Sequence, residues 1–148
     1  MALALGATAG GVLLVVAELS TLYAIRANGS VVKSISGHAQ HAYALGLVGL
    51  VAVGMAVGAL RGARPAMVAL AVLGLAALLI TVFFDLSDVR ATGVVGQDYA
   101  DASARAGAGF YEQTLGALLL LVCGVGLLVR AAPGLTPRRA SATQARSE

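Results

Sequence analysis

Four long runs of apolar residues, separated by polar stretches, dominate the pattern along this chain. They cover residues 3–25, 39–60, 66–85 and 114–130. A helix needs about 20 apolar residues to cross the hydrocarbon core of a bilayer, at a rise of about 1.5 Å per residue. The runs are continuous and lack the alternation of strands in a membrane barrel, and a helix satisfies its backbone hydrogen bonds internally. The pattern therefore predicts an all-α integral membrane protein with four transmembrane helices.

The polar residues that end these runs occur twice in the same order. Each copy has an acid, a leucine and a serine at the end of one run, then an arginine, an alanine and a polar residue before glycine. The matching segments are Glu18-Leu19-Ser20 with Arg26-Ala27-Asn28-Gly29 and Asp85-Leu86-Ser87 with Arg90-Ala91-Thr92-Gly93. We interpret residues 1–132 as a membrane bundle of two tandem hairpins in the same orientation, as in parallel-repeat transporters. Repeat 1 covers about residues 1–65 and repeat 2 about residues 66–133.

Composition and charge agree with a membrane location. Of the 148 residues, 59% are apolar and 11% are charged, whereas about a quarter are charged in a soluble domain. The side of the bundle with both termini carries six arginines and the other side four basic residues, so the positive-inside rule predicts cytoplasmic termini. We expect a multi-pass protein of the plasma membrane, with residues 133–148 as a disordered, basic cytoplasmic tail. High arginine and alanine usage is typical of a GC-rich bacterial gene.

Small residues and turn signals predict how the helices pack and where they are connected. Gly6 with Gly10, and Gly54 with Gly58, have the small-xxx-small spacing that lets membrane helices approach closely. We interpret these pairs as contacts within the bundle, and the alternative is the seam of a homo-oligomer. In the connections, Asn28-Gly29-Ser30 matches a glycosylation sequon that we interpret as a turn, and residues 98–105 are predicted to form a short surface helix.

The two acids of the repeat are the first candidates for function. A carboxylate within a membrane span is costly and usually faces the bundle interior for a purpose. Glu18 and Asp85, with Ser20 and Ser87, form a candidate cation or proton site at one end of the bundle. The alternative is that both acids lie at the membrane interface, where they pair with Arg26 or Arg90 or with a lipid headgroup.

A pair of histidines at the start of the second run is the second candidate. His38 and His41 are three residues apart, which places both imidazoles on one helix face. With Glu112 they form a candidate zinc or copper ligand set. The alternative is that both are interfacial histidines that bond to loop backbone. Beyond zinc or copper, no cofactor is predicted.

No motif in the sequence names a reaction. The chain has no phosphate loop, dinucleotide fingerprint or nucleophile elbow, so we expect a non-enzymatic protein. Its net charge of +3 comes from residues that flank the membrane and not from a basic patch, so no nucleic-acid partner is expected. We expect an accessory or assembly subunit of a larger membrane complex, bound to a membrane-protein partner or to itself. The alternatives are a small oligomeric cation- or proton-coupled transporter or channel, and a metal-binding membrane protein.

Overall fold

The computed structural model describes residues 1–93 and 102–132, which form a mostly helical bundle with a small sheet at one end. We call that end of the bundle the sheet end. The predicted tail, residues 133–148, lies outside the described residues. In chain order the elements are α1 (Ala2–Leu19), β1 (Thr21–Ala27), β2 (Ser30–Ser36), α2 (Gly37–His41), α3 (Ala44–Leu60), α4 (Arg64–Ile80), a π-helical turn (Thr81–Asp85), α5 (Leu86–Asp88), β3 (Thr92–Gly93), β4 (Ala102–Ala106) and α6 (Ala108–Ala131).

Three of the described helical segments are long and apolar enough to cross a membrane. They are Ala2–Leu19, Arg64–Asp88 and Ala108–Ala131, with 18, 25 and 24 residues. These segments indicate a membrane location, as the hydropathy predicts. The other apolar helix, α3, has 17 residues and is shorter than these three segments.

The helices pack through glycines that let their backbones touch. Helix α1 lies between α3 and α6, while α4 packs against α6 and α3. A Cβ atom on Gly10 would lie 2.8 Å from the carbonyl oxygen of Gly116, and one on Gly11 would lie 2.8 Å from that of Gly49. Of the predicted pairs, Gly6 and Gly10 both face α6, and Gly58 faces Ala66, whereas Gly54 has open space around it.

The sheet is the main departure from the all-α prediction. Helix α1 ends at Leu19, and the apolar residues that follow form β1 instead of a continuation of the helix. Strand β1 turns into β2 through Asn28 and Gly29, whose φ angles of 51° and 79° are the left-handed values that an Asn-Gly hairpin turn requires. The interpretation of this segment as a turn is confirmed. The described strands are all antiparallel, in the order β2-β1-β4-β3.

The connection before the last helix also differs from its prediction. Residues 102–106 form strand β4, which pairs with β1, so the predicted surface helix is wrong over these residues. Residues 98–101 lie outside the described part of the chain. Small residues such as Ala and Ser fit between two neighbouring strands, and β1 supplies the apolar partner through Ile25. Helix α6 then begins at Ala108, earlier than the predicted start at 114.

Candidate functional site

Five polar or charged side chains converge at the sheet end of the bundle, where α1, α2, the π-helical turn and α6 meet. We call them the polar cluster: Glu18, His41, Thr81, Asp85 and Gln113. Four are buried, and the side chain of His41 is only 10% exposed. Buried polar groups need hydrogen-bond partners to offset the loss of water. The hydrogen-bond partners of each residue therefore indicate its role in the cluster.

Glu18 caps the N-terminus of a neighbouring helix. Its side chain is 3% exposed, and its Oε1 atom accepts hydrogen bonds from the backbone N–H groups of Leu45 at 2.9 Å and Gly46 at 3.1 Å. These are among the first N–H groups of α3, which have no partner within their own helix. A carboxylate there also interacts favourably with the helix dipole. Within the described chain, the second oxygen, Oε2, is buried and has no hydrogen-bond partner.

Asp85 is the centre of the cluster. Its side chain is fully buried, and both oxygens accept hydrogen bonds from other elements. The Nε2–H of His41 donates to Oδ1 at 2.9 Å, and the side-chain amide of Gln113 donates to Oδ2 at 2.6 Å. The same amide donates to the hydroxyl of Thr81 at 2.7 Å. Asp85 thereby connects α2 and α6 to the end of the α4 segment.

The π-helical turn positions two of these residues. Thr81 and Asp85 begin and end the turn, and both are buried. A π-helical turn widens the helix locally and is frequent at functional sites. In this one, Thr81 and Asp85 face the same amide on α6, and the Thr81 hydroxyl also donates back to the carbonyl of Ala77 at 3.0 Å. Each member of this small network therefore has a partner.

Asp85 and Glu18 favour the protonated form of His41. Burial, the largest single influence, lowers the pKa of His41. The hydrogen bond to Asp85, the charge of Asp85 and the charge of Glu18 outweigh burial together, so the pKa lies above the ordinary value of 6.5. The Nδ1 atom of His41 is buried without a hydrogen-bond partner among the described residues. The charge of His41 therefore depends on pH, and the two acids favour its protonated form.

The two candidate metal ligands on α2 point to different partners. The Nδ1–H of His38 donates to the backbone carbonyl of Glu18 at 3.2 Å, and its ring stacks on Tyr43. His41 instead bonds to Asp85. Glu112 has one buried oxygen without a partner in the described region. In residues 1–93 and 102–132, no group of three histidine, cysteine or acidic side chains is arranged to hold a metal ion.

The two serines lie beside the cluster. Ser87 is exposed, and its hydroxyl donates to the carbonyl of Phe84 at 2.8 Å. Ser20 ends α1, and its carbonyl accepts the N–H of Gly37. No hydrogen bond in the described structure joins either serine to Glu18 or Asp85. The described residues also contain no ion pair between these acids and an arginine.

The sequence reasoning did not single out Thr81 or Gln113 as site residues. Thr81 precedes Asp85 by four residues, a spacing that places both on nearly one face of a helix, and this signal was present in the sequence. Gln113 opens the last apolar run, but no spacing rule connects it to Asp85.

Near the rim, the Gln40 amide donates to Asp88 at 2.8 Å. The pKa of Tyr23 is raised. Burial is the largest cause, followed by the charges of Asp88 and Asp85.

Fold and site together define a helical protein with three segments able to span a membrane and a buried carboxylate–histidine cluster at the sheet end. No protein-family model matches the chain, and neither does any curated protein or solved structure.

Proposed function

We propose that this protein is a non-enzymatic accessory or assembly subunit of a larger membrane complex. The observation that carries the proposal is the free edge of strand β2 at the sheet end. In the described sheet, β2 pairs with β1 on one side only. Its Val31 and Val32 are 53% and 40% exposed. An unpaired strand edge with apolar side chains is a template for a partner strand.

The hydrogen bonds of the two acids support the same proposal. Glu18 and Asp85 are engaged in joining helices to each other, which is a structural task. In the described spans, every charged side chain lies within about five residues of an end of its helical segment. The buried centre consists of small and aliphatic residues, which include Ala7, Leu14, Ala52, Ala56, Leu70, Ala117 and Leu120. A transport pathway normally needs polar groups at mid-membrane depth.

We further propose that α3 is a fourth span. Its 17 residues extend about 25 Å at about 1.5 Å per residue, the lower limit for a transmembrane helix. Four spans give both termini the same side, which the arginine distribution makes cytoplasmic. The sheet and the polar cluster then face outwards. A partner would meet β2 outside the cytoplasm.

The packing of the four apolar helices can be compared with the proposed repeat. A twofold repeat relates α1 to α4 and α3 to α6, and the packing of α1 on α3 then corresponds to that of α4 on α6. Both pairs are neighbours, which supports a repeat of the helices. The sheet does not follow it, because β1 pairs with β4, whereas a twofold repeat would pair β1 with β3 or β2 with β4. We therefore propose the repeat for the helices alone.

The test is an affinity purification of the tagged protein from native membranes in mild detergent, with mass spectrometry and a native mass. We expect a stoichiometric partner that is lost when Val31 and Val32 are both replaced by lysine. Thr92→Lys is the matched control because it adds a charge to the opposite edge of the same sheet. A wild-type protein recovered alone as a monomer would contradict the proposal.

A second candidate is a small oligomeric cation- or proton-coupled transporter or channel. The buried pair of Asp85 and His41, with Glu18 close enough to affect the pKa of His41, favours it. The measurement is proton or cation flux into liposomes that contain the purified protein. Flux that is abolished when Glu18→Gln is combined with Asp85→Asn would support this candidate. Equal flux in the variant and the wild type would assign both acids to structure.

A further inference from the structure

A groove of about 620 Å³ lies between α1 and α3 near the sheet end, and its chemistry suggests a ligand. This volume is within the usual range for small-molecule sites, about 300–1,000 Å³. Apolar side chains line most of it, among them Val15, Leu19, Leu47 and Leu50. Leu19, Leu47 and Leu50 are exposed at its rim, on the outer surface of the bundle. A ligand would enter from the membrane and fill the groove with an apolar chain.

Among the described residues that line this groove, Glu18 is the one that carries a charge. Its Oε1 atom is occupied by the backbone of α3, while the buried Oε2 atom has no partner among the described residues. A buried carboxylate oxygen without a donor is costly, and a cationic N–H group would satisfy both its charge and its hydrogen bond. Tyr43, held by stacking on His38, adds an aromatic wall that attracts cations.

We propose that the groove binds a single-chain lipophilic primary amine, with its ammonium group beside the Glu18 carboxylate and its chain between α1 and α3. The charge of the lining residues selects this chemistry. An aminophospholipid would bring a phosphate close to Glu18, and the lining residues in the described part of the chain include no lysine or arginine to neutralise it. An alcohol of the same chain length would lack the charge. This proposal is independent of the accessory-subunit function and concerns a different surface from the β2 edge.

The test compares dodecylamine with dodecanol on the protein in phosphatidylcholine nanodiscs. The dissociation constant of each is measured from the shift in thermal unfolding temperature. A charge-assisted hydrogen bond predicts that wild type binds the amine about tenfold or more tightly than the alcohol. Glu18→Gln should reduce this ratio to about one, because its amide oxygen can still cap α3 while the charge is lost. Equal affinities in wild type, or an unchanged ratio in Glu18→Gln, would overturn the proposal.

Two further variants separate the ligand site from general effects on the bundle. Leu50→Trp fills the groove without touching the α3 cap, so it should abolish binding of both ligands. Amine binding that persists in Leu50→Trp would overturn the proposal even if Glu18→Gln failed to fold. Glu112→Gln is the matched control, because it removes another partly buried carboxylate that does not line the groove. It should keep the wild-type preference for the amine.

Other occupants of the groove would give different results. Phosphatidylethanolamine in the nanodisc should leave the dodecylamine affinity unchanged. Competition by that lipid would identify an aminophospholipid as the occupant and overturn the assignment to a single-chain amine. A second copy of the chain in the groove would appear as a dimeric native mass that Leu50→Trp converts to a monomer, and this too would overturn the proposal.

Discussion

The carboxylate of Glu18 lies 2.9 Å from the backbone nitrogen of Leu45, so the end of α1 caps the start of α3. This contact explains why an acid can be buried at this position. The carboxylate replaces the side-chain cap that α3 lacks, since the residue before the helix, Tyr43, makes no side-chain cap hydrogen bond. It also joins two helices whose connection runs through a β-hairpin.

Removal of this cap should destabilise the bundle. Glu18→Ala leaves the N–H groups of Leu45 and Gly46 without an acceptor, and we expect a loss of about 1–3 kcal/mol in the free energy of unfolding. Glu18→Gln keeps an acceptor oxygen and should lose clearly less. Equilibrium unfolding in a mild detergent measures both variants. If they lost the same stability, the carboxylate oxygen would not act as the cap.

The stability of the protein should depend on pH through His41. The pKa of His41 in the folded protein lies above the ordinary value of 6.5 because the acids around it outweigh burial. A raised pKa means that the folded state holds the proton more tightly than the unfolded state. The stabilisation is therefore fully present below pH 6.5 and is lost as pH rises through the folded pKa.

Thermal unfolding of wild type and His41→Asn at about pH 6 and about pH 8.5 tests this linkage. We expect the difference in unfolding temperature between the two proteins to be larger at the lower pH. His38→Asn is the matched control, because His38 bonds to a backbone carbonyl and not to a carboxylate. It should retain the pH dependence of the wild type. A difference between wild type and His41→Asn that did not change with pH would refute the role assigned to His41.

Two glutamines at the sheet end should differ in their importance for stability. The Gln113 amide bonds to Thr81 and Asp85 in the buried cluster, so Gln113→Leu leaves Asp85 Oδ2 without a donor and should cost about 1–3 kcal/mol. The Gln40 amide bonds to Asp88 at the exposed rim, and Gln40→Leu should cost less than about 0.5 kcal/mol. Equilibrium unfolding of both variants checks the order. Similar losses in the free energy of unfolding would mean that burial does not determine how much each hydrogen bond contributes to stability.

The sequence predicted the three helical segments that are long and apolar enough to span a membrane, because each leaves a long, continuous apolar signal. It missed the sheet for the same reason: residues 21–25 carry no charge, and a hydropathy pattern merges them with α1 into a single run. The β-branched residues Thr21 and Ile25 are typical of strands. Strand β4, with the sequence Ala-Ser-Ala-Arg-Ala, carries almost no local signal, because its conformation depends on pairing with β1.

The candidate site was predictable only in part. The cost of a carboxylate near the membrane drew attention to Glu18 and Asp85, and both are buried in the structure. Their partners are distant in sequence: His41 lies 44 residues before Asp85, and Leu45 lies 27 residues after Glu18. Such contacts depend on how the helices pack, and no spacing rule within one helix can supply them. The same limit applies to the groove, whose lining residues come from α1 and from residues 42–50.

The glycines offer the sharpest test of helix packing, because two of them have opposite surroundings. A Cβ atom on Gly116 would lie 2.8 Å from the carbonyl oxygen of Gly10, and neither helix backbone can move easily. Gly116→Ala should therefore force α1 and α6 apart and cost about 1–3 kcal/mol. Gly54 has nothing within 4 Å of such an atom. Gly54→Ala should be neutral or should stabilise α3 by up to about 1 kcal/mol, because alanine is the better helix former.

Unfolding of both glycine variants in detergent measures this difference directly. A loss of stability confined to Gly116→Ala would support the close contact between α1 and α6. A loss in Gly54→Ala, seen only where the protein self-associates, would place Gly54 in a seam between copies, which is the alternative that the glycine spacing left open. Equal tolerance of both changes would mean that α1 and α6 do not touch through their backbones.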